Sequence, residues 1–286
     1  MASKANYPLV GIILATTFWS PGSVCADGDK ETAHSFKLTV ATKMNTKLPD
    51  TTQKVEADTE LCYTWTVLAR KRVLSFDSLL SKACVDGKQT TNAFINREKI
   101  VTVQDGMTTE VPFAKAAPMV KKMLEDSFGA PVWKLQVDEH GKELKRELVG
   151  GPGTAELVRN NTIANALLFH PPFRRDQDEW QADLQVPTAG GQLAKGTLSY
   201  RKTVGSKETQ TVKVSGTLTN ADAKLEGKIR MNAKYFVDGE QTFSFVDQQW
   251  LKGKLTMDLS WQFLEDGHPV GSSTGVMVVS FEKLAK

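Results

Sequence analysis

Histidine, cysteine and recognisable catalytic motifs are scarce in this sequence. The chain has four histidines and three cysteines among 286 residues. The histidines show no His-x-x-x-His spacing, so no metal site is predicted. The chain also lacks the Gly-x-Ser-x-Gly motif of many hydrolases and the Gly-x-x-x-x-Gly-Lys-Ser/Thr motif of phosphate-binding loops. We therefore predict no enzymatic activity, catalytic residue or cofactor. Two distant carboxylates can form a glycosidase site without any local spacing, which leaves that alternative open.

An excess of charge of one sign is missing as well. The chain has 36 basic and 33 acidic side chains and a formal net charge of +3. This balance favours neither nucleic acid nor an anionic membrane surface as a partner. The basic triplet Arg70-Lys71-Arg72 is accordingly interpreted as a set of solvated turn residues. The sequence does not identify a protein partner.

Hydrophobic runs long enough to span a bilayer are also missing. The apolar stretch Tyr7–Trp19 is shorter than the roughly 20 residues that a transmembrane helix needs. Together with Lys4 before it and Val24-Cys25-Ala26 after it, this stretch is typical of a signal peptide over residues 1–26. We therefore predict an exported protein, periplasmic or extracellular, with no transmembrane span in the mature chain. The alternative is a lipid anchor on Cys25, for which Val24 is a poor preceding residue.

The mature chain keeps two cysteines, Cys62 and Cys84. An even number of cysteines in an oxidising compartment favours a disulfide. In the predicted strand Leu61–Leu68, Cys62 shares a polar face with Thr64 and Thr66, where a bond to a neighbouring turn is geometrically easy. We predict a disulfide between the two cysteines, with two separate thiols as the alternative.

Alternating apolar and polar residues dominate the C-terminal half, most clearly between Leu225 and Phe263. The residues of one predicted face are Leu225, Gly227, Ile229, Met231, Ala233, Tyr235, Val237, Leu255, Met257, Leu259, Trp261 and Phe263. This alternation predicts strands with one apolar and one polar face. Asp238-Gly239 between the two runs predicts a turn, as do Asp86-Gly87 and Asp266-Gly267, because these residue types tolerate positive φ.

Two segments depart from this alternation and have helical spacing. The first predicted helix covers residues 117–128 and includes Met123; the second covers residues 154–169 and includes Leu157. Behind the signal peptide we predict a single β-rich domain. This domain covers residues 27–286. Its parts are an N-terminal meander 34–113, a helical middle 117–169 and a C-terminal meander 196–283.

Three short segments of the C-terminal half carry a resemblance to secreted bacterial domains of unknown function. They are Val237-Asp238-Gly239-Glu240, Thr242-Phe243-Ser244-Phe245 and Leu251-Lys252-Gly253-Lys254-Leu255. More distantly, the pattern of residues 34–283 is similar to the LolA-like lipoprotein carriers. The resemblance implies a curved antiparallel sheet whose apolar concave face is partly covered by helices. It transfers no functional residue.

A sheet of about ten strands with one apolar face must bury that face. We predict a mainly β fold of the α+β class, with a large curved antiparallel sheet or half-barrel and about two helices packed on its apolar face; two packed sheets are the alternative. The leading hypothesis is a non-enzymatic binding protein for a lipid or another apolar small molecule. The alternative is a structural or protein-interaction module of the cell envelope with a fully packed core. The candidate ligand-binding residues are Tyr200, Ile229, Met231, Tyr235, Met257, Leu259, Trp261, Met123 and Leu157.

Overall fold

A computed structural model describes residues 31–68, 71–104, 106–125, 127–137, 143–149, 173–187, 193–225, 228–247 and 249–285. Within these residues, fourteen strands form one antiparallel sheet. The strands are β1 Thr32–Leu48, β2 Thr51–Leu68, β3 Lys71–Val85, β4 Lys88–Asn96, β5 Lys99–Gln104, β6 Met107–Pro112, β7 Pro131–Val137, β8 Glu143–Leu148, β9 Glu179–Pro187, β10 Leu193–Gly205, β11 Thr209–Lys224, β12 Ile229–Ser244, β13 Gln249–Glu265 and β14 His268–Lys283. The prediction of a mainly β fold based on one large curved sheet is confirmed.

Strand β1 joins the two halves of the sheet. It pairs with β2 on one side and with β14 on the other, so that Leu38 lies opposite both Leu61 and Phe281. In one direction the sheet continues through β2, β3, β4 and β5 to β6, and in the other through β14, β13, β12, β11 and β10 to β9. Strand β7 pairs with the first part of β3, and β8 pairs with β7. The first and last strands of the described chain are therefore neighbours.

The long strands bury one face, which we call the inner face, and expose the other. On β13, Leu255, Met257 and Leu259 are 2 to 3 % exposed, whereas the alternate residues Lys254 and Asp258 are exposed. The same alternation runs through β1, β10, β11, β12 and β14, and all the buried apolar side chains belong to one core. Burying a side chain of this size contributes about 1.5–3 kcal/mol, so the alternation sets the orientation of each strand.

Four glycines form a diagonal line across the inner face. Gly196, Gly216, Gly239 and Gly253 lie on consecutive strands from β10 to β13, and each is displaced by two residues from the partner of the one before. A Cβ atom added at Gly239 would lie 2.1 Å from the backbone oxygen of Lys254. Neighbouring strands therefore approach more closely here than a side chain permits, which is how glycine allows a sheet to bend.

The predicted turn at Asp238-Gly239 is wrong, because both residues lie inside β12. Gly239 serves the bend of the sheet instead of a turn. The Asp-Gly turns at Asp86-Gly87 and Asp266-Gly267 are confirmed, with positive φ at all four residues (50°, 77°, 48° and 84°). An Asp-Gly pair thus lies in a turn at two places in this chain and inside a strand at a third, and only the pairing of the strands distinguishes the two cases.

The first predicted helix is confirmed as α1, Pro118–Glu125, which follows a 3₁₀ helix at Phe113–Lys115. Leu124 of α1 is buried in the core. The second predicted helix, residues 154–169 with Leu157, lies outside the described residues. None of the described helices is long and apolar enough to cross a membrane. Strands β7, β8 and β9 lie outside the two predicted meanders.

The predicted disulfide between Cys62 and Cys84 is wrong. Both cysteines are free. Cys62 pairs with Ser78, and Cys84 pairs with Glu56, so the two cysteines lie on neighbouring strands but six residues apart along them. At about 3.3 Å per residue this is roughly 20 Å, far beyond the limit of about 7 Å between the Cα atoms of a disulfide.

The interpretation of the basic triplet as solvated is also wrong for one of its members. Arg72 lies in β3 and shares the inner face with Leu74 and Phe76. It is 7 % exposed. Burial disfavours the charged guanidinium and lowers the pKa of Arg72 to about 10.

Candidate functional site

The predicted ligand-binding residues that the structure describes lie on the inner face. They are Tyr200 on β10, Ile229, Met231 and Tyr235 on β12, and Met257, Leu259 and Trp261 on β13. All are 1 to 8 % exposed except Ile229, which is half-buried. Tyr235 lies directly opposite Leu259, while Tyr200 is separated from β12 by one strand. Met123 belongs to α1, but its side chain lies outside the described part of the structure, as does Leu157.

Tyr235 and Trp261 place two polar atoms inside this apolar surface. Their ring centroids are 6.4 Å apart, with the rings at 62° to each other. The Tyr235 Oη and Trp261 Nε1 atoms are buried and form no hydrogen bond of acceptable geometry among the described residues, although the indole N–H lies close enough to act on the hydroxyl. Leaving such a group unpaired costs about 1–3 kcal/mol, so the fold gains nothing from this polar pair.

Burial also fixes the charge state of this pair. It raises the pKa of the Tyr235 hydroxyl well above its usual range, and the nearby indole N–H of Trp261 opposes only part of this effect. The hydroxyl is therefore neutral at physiological pH and can either donate or accept a hydrogen bond. Trp261 can only donate.

An aromatic cluster occupies the opposite end of the inner face. Phe173 stacks on Phe243 with 4.4 Å between ring centroids, and it meets Phe245 and Trp250 edge-on at 5.6 and 6.1 Å. Phe243 and Tyr235 are eight residues apart on β12, so roughly 26 Å separates the cluster from the Tyr235–Trp261 pair. The two ends of the inner face are therefore distinct locations.

A pocket of about 410 Å³ opens beside this cluster and is called here the aromatic-end pocket. It is lined by Phe173, Arg175, Lys202, Gln210 and Phe245. The Lys202 ammonium lies 5.6 Å from the centre of the Phe173 ring, and the Arg175 guanidinium lies 5.7 Å from that of Phe245. Two cations thus stand over two aromatic faces, an arrangement that stabilises both.

The outer face carries a second concavity, of about 510 Å³. It crosses five strands, and its lining includes three lysines, two glutamates and four hydroxyl side chains: Lys37, Lys252, Lys254, Glu240, Glu282, Thr39, Thr211, Thr242 and Ser280. The hydrogen bond from Lys37 to Glu282, at 3.3 Å, raises the pKa of Lys37. Since acids and bases alternate across the strands, this groove has no marked preference for ligands of either charge.

Sequence reasoning missed the aromatic end. Trp180 is the second residue of β9 and stacks on Tyr200 with 5.4 Å between ring centroids, yet the residues before it are polar and indicate only a linker. The alternation of Trp180, Ala182 and Leu184 is the signal that could have identified this strand. Among the described residues, no group of three or more His, Cys, Asp or Glu side chains is arranged to hold a metal ion.

No protein-family model and no curated protein matches the chain. Among solved structures, the chain is similar to OccK5 (OpdH) of Pseudomonas aeruginosa at 6 % identity and a TM-score of 0.24, covering 88 % of this chain and 98 % of that one. It is similar to OccK7 (OpdD) of the same organism at 8 % identity and a TM-score of 0.22, covering 88 % and 99 %. TM-scores this low carry no argument about function.

Proposed function

We propose that this protein is an exported, non-enzymatic binding protein for an apolar molecule that binds at the inner face near Tyr235 and Trp261. The supporting observation is the pair of unpartnered polar atoms on those two residues. Met231, Val237 and Leu259 next to the pair are apolar, and buried Ser273 lies directly opposite Trp261 on β14. A ligand with a hydrogen-bond acceptor would satisfy both groups and contact the apolar residues.

The chemistry of the pair narrows the ligand class. No basic side chain is buried on this part of β12 and β13, so an ionised carboxylate would be buried without a counter-charge, which is costly. A neutral acceptor, such as an ester or ketone carbonyl on an aliphatic body, fits better. The proposed ligand is therefore a neutral lipid-like molecule.

A structural module with a packed core is the second candidate function. It is favoured by the low exposure of Met231, Met257 and Leu259, at 1 to 3 %, because side chains in such contact leave little room. A ligand would then have to displace them, for which the flexible methionines are well suited.

Extraction of natively purified protein with organic solvent, followed by mass spectrometry, tests the choice between the two functions. The binding proposal expects a bound neutral apolar compound and uptake of a neutral fluorescent naphthylamine probe. Tyr235→Phe and Trp261→Phe should each weaken retention of an ester-containing ligand, while Tyr200→Phe on the same face should not. Absence of both bound compound and probe uptake would overturn the proposal in favour of the packed module.

Export is tested separately. Amino-terminal sequencing of protein from the exported fraction should give Asp27 as the first residue. Partition of the protein into detergent, with a modified Cys25 at its start, would show the lipid-anchored form instead.

A further inference from the structure

We infer that the aromatic-end pocket binds an organic anion, with its carboxylate or phosphate group at Arg175 and Lys202 and its apolar part against Phe173 and Phe245. This site is separate from the Tyr235–Trp261 pair, and the inference does not rest on the proposed function.

Lys202 supplies a cation that the fold holds in place. Its side chain is 14 % exposed. The ammonium donates a hydrogen bond to the backbone oxygen of Arg175 at 3.0 Å and lies 3.5 Å from a carboxylate oxygen of Asp178. An ammonium has three donors, and these two partners leave one for a ligand.

The acid beside Lys202 does not neutralise it well. Asp178 is 93 % exposed, so water and salt screen its attraction to Lys202. The other acids nearby in the chain, Asp176 and Glu179, are exposed, and neither lines the pocket. Among the described residues that line the pocket, two are cationic and none carries a carboxylate.

Arg175 provides the group that recognises an oxyanion by shape. Its guanidinium lies over the Phe245 ring, and Arg175 lines the pocket. A planar guanidinium donates two parallel hydrogen bonds to a carboxylate or a phosphate, which an ammonium cannot do. The combination of one guanidinium and one ammonium thus favours an oxyanion over a neutral acceptor.

The other walls exclude a purely ionic ligand. Phe173 is fixed by stacking on Phe243, and it meets Trp180 edge-on with 6.0 Å between the ring centroids. The Trp180 Nε1 atom is buried without a partner among the described residues, which adds another free donor next to the cluster. The side-chain amide of Gln210 is already used, because it donates to the backbone oxygen of Thr211 at 2.9 Å. An apolar body against the phenylalanines with an anionic group at the cations matches these walls.

The pocket volume of about 410 Å³ suits a small organic molecule. A medium-chain carboxylate and an alkyl phosphate share the required chemistry, and a free phosphate ion has the charge without the apolar body. These three ligands separate the possible sources of the anion.

Isothermal titration of the full chain tests the inference with decanoate, octyl phosphate, decanol and inorganic phosphate, all at low ionic strength and below micelle formation. Decanoate or octyl phosphate should bind at least about tenfold more tightly than decanol or inorganic phosphate, since a charge-assisted pair adds to the apolar contact. Equal binding of decanol would reduce the site to an apolar pocket, and equal binding of inorganic phosphate would reduce it to a simple anion site. Either result, or no binding of either amphiphile, overturns the inference.

Two variants locate the site. Arg175→Gln and Lys202→Met should each weaken binding of the preferred amphiphile at least about fivefold, while Lys228→Met should leave it unchanged. Lys228 is the control because it also forms an ion pair with an aspartate, at 3.1 Å with Asp266, away from the pocket. Arg175 is exposed, so its variant remains informative if Lys202→Met fails to fold. Equal weakening by all three variants would show a general charge effect and overturn the site. Tyr235→Phe, which tests the proposed function, should not change amphiphile binding.

Discussion

Strands β12 and β13 are paired with each other in the sheet, and so are β5 and β6, yet the two pairs differ in length and in burial. The first two have 16 and 17 residues and bury nearly every second side chain. The other two have six residues each, and most of their side chains are exposed or half-buried. Leu259 on β13 is 3 % exposed, whereas Met107 on β6 is 72 % exposed.

This difference shows that alternation gives a strand two faces but does not bury either of them. Burial requires other side chains opposite the face, and the core includes residues of the long strands but none of β6. Stability is therefore concentrated in the long strands, and β5–β6 should open locally at a much lower free energy than the rest. Four predictions test this contrast.

High pH should unfold the long-strand part of the sheet. Tyr63, Tyr200 and Tyr235 all lie in long strands and are 2 % exposed, and burial raises the pKa of each hydroxyl well above its usual value. Above about pH 10 the unfolded chain loses these protons and the folded chain keeps them, so the free energy of unfolding falls as pH rises. The loss is about 4 kcal/mol per pH unit for three tyrosines, and the lowered pKa of Arg72 offsets a smaller part of it.

Ultraviolet absorbance of tyrosinate and circular dichroism should change together at high pH, in one cooperative transition. Tyrosinate formation near pH 10 with the sheet signal intact would show that these hydroxyls are accessible, and would contradict the burial of the long strands.

Truncation of a core side chain should separate the two strand pairs. Leu259→Ala should lower the free energy of unfolding by about 3 kcal/mol, because it removes buried methyl groups and leaves a cavity. Met107→Ala on β6 should change it by less than about 0.5 kcal/mol, since its side chain is already in water. Urea denaturation measures both values. Similar losses for the two variants would show that β6 is covered in solution.

The contrast also explains how much of the fold could be predicted. The alternation of apolar and polar residues identified the long strands and their inner faces, because apolar side chains are buried and polar ones face water. It did not show that β1 pairs with β14, nor that Cys62 and Cys84 are offset along neighbouring strands, because both facts depend on register between distant segments. Arg72 was misread for a related reason: its position on the inner face follows from Leu74 and Phe76 after it, not from the basic residues before it.

The candidate site divides in the same way. Tyr235, Met257, Leu259 and Trp261 share one face because their spacing along two strands is even. The aromatic-end pocket could not be predicted, since it joins Phe173 and Arg175 before β9 to side chains of β10 and β11 and to Phe245 just after β12. Such a site can be identified only when the register of these four segments is known.

The glycines of the inner face provide the next test. Gly239→Ala should lower the free energy of unfolding by about 2 kcal/mol, because the new Cβ would lie 2.1 Å from the backbone oxygen of Lys254 and force the strands apart. For Gly106→Ala in the β5–β6 turn, no atom lies within 4 Å of the new Cβ. The φ of 77° is unfavourable for alanine, however, so the free energy of unfolding should fall by about 1 kcal/mol. Thermal denaturation compares the two. A smaller loss at Gly239 than at Gly106 would mean that the sheet does not bend at the glycine line.

The smallest expected effect concerns the polar pair inside the dense part of the sheet. Tyr235→Phe removes a buried hydroxyl that has no partner among the described residues, so in ligand-free protein it should leave the free energy of unfolding unchanged or raise it by up to about 1 kcal/mol. Tyr200→Phe is the matched control: its hydroxyl is not among the buried unpartnered atoms, so no gain is expected. With an ester-containing ligand bound, the order should reverse, because only wild-type protein can use the hydroxyl. A loss of stability in Tyr235→Phe without any ligand would mean that the hydroxyl serves the fold itself, and it would remove the main support for a binding site at this position.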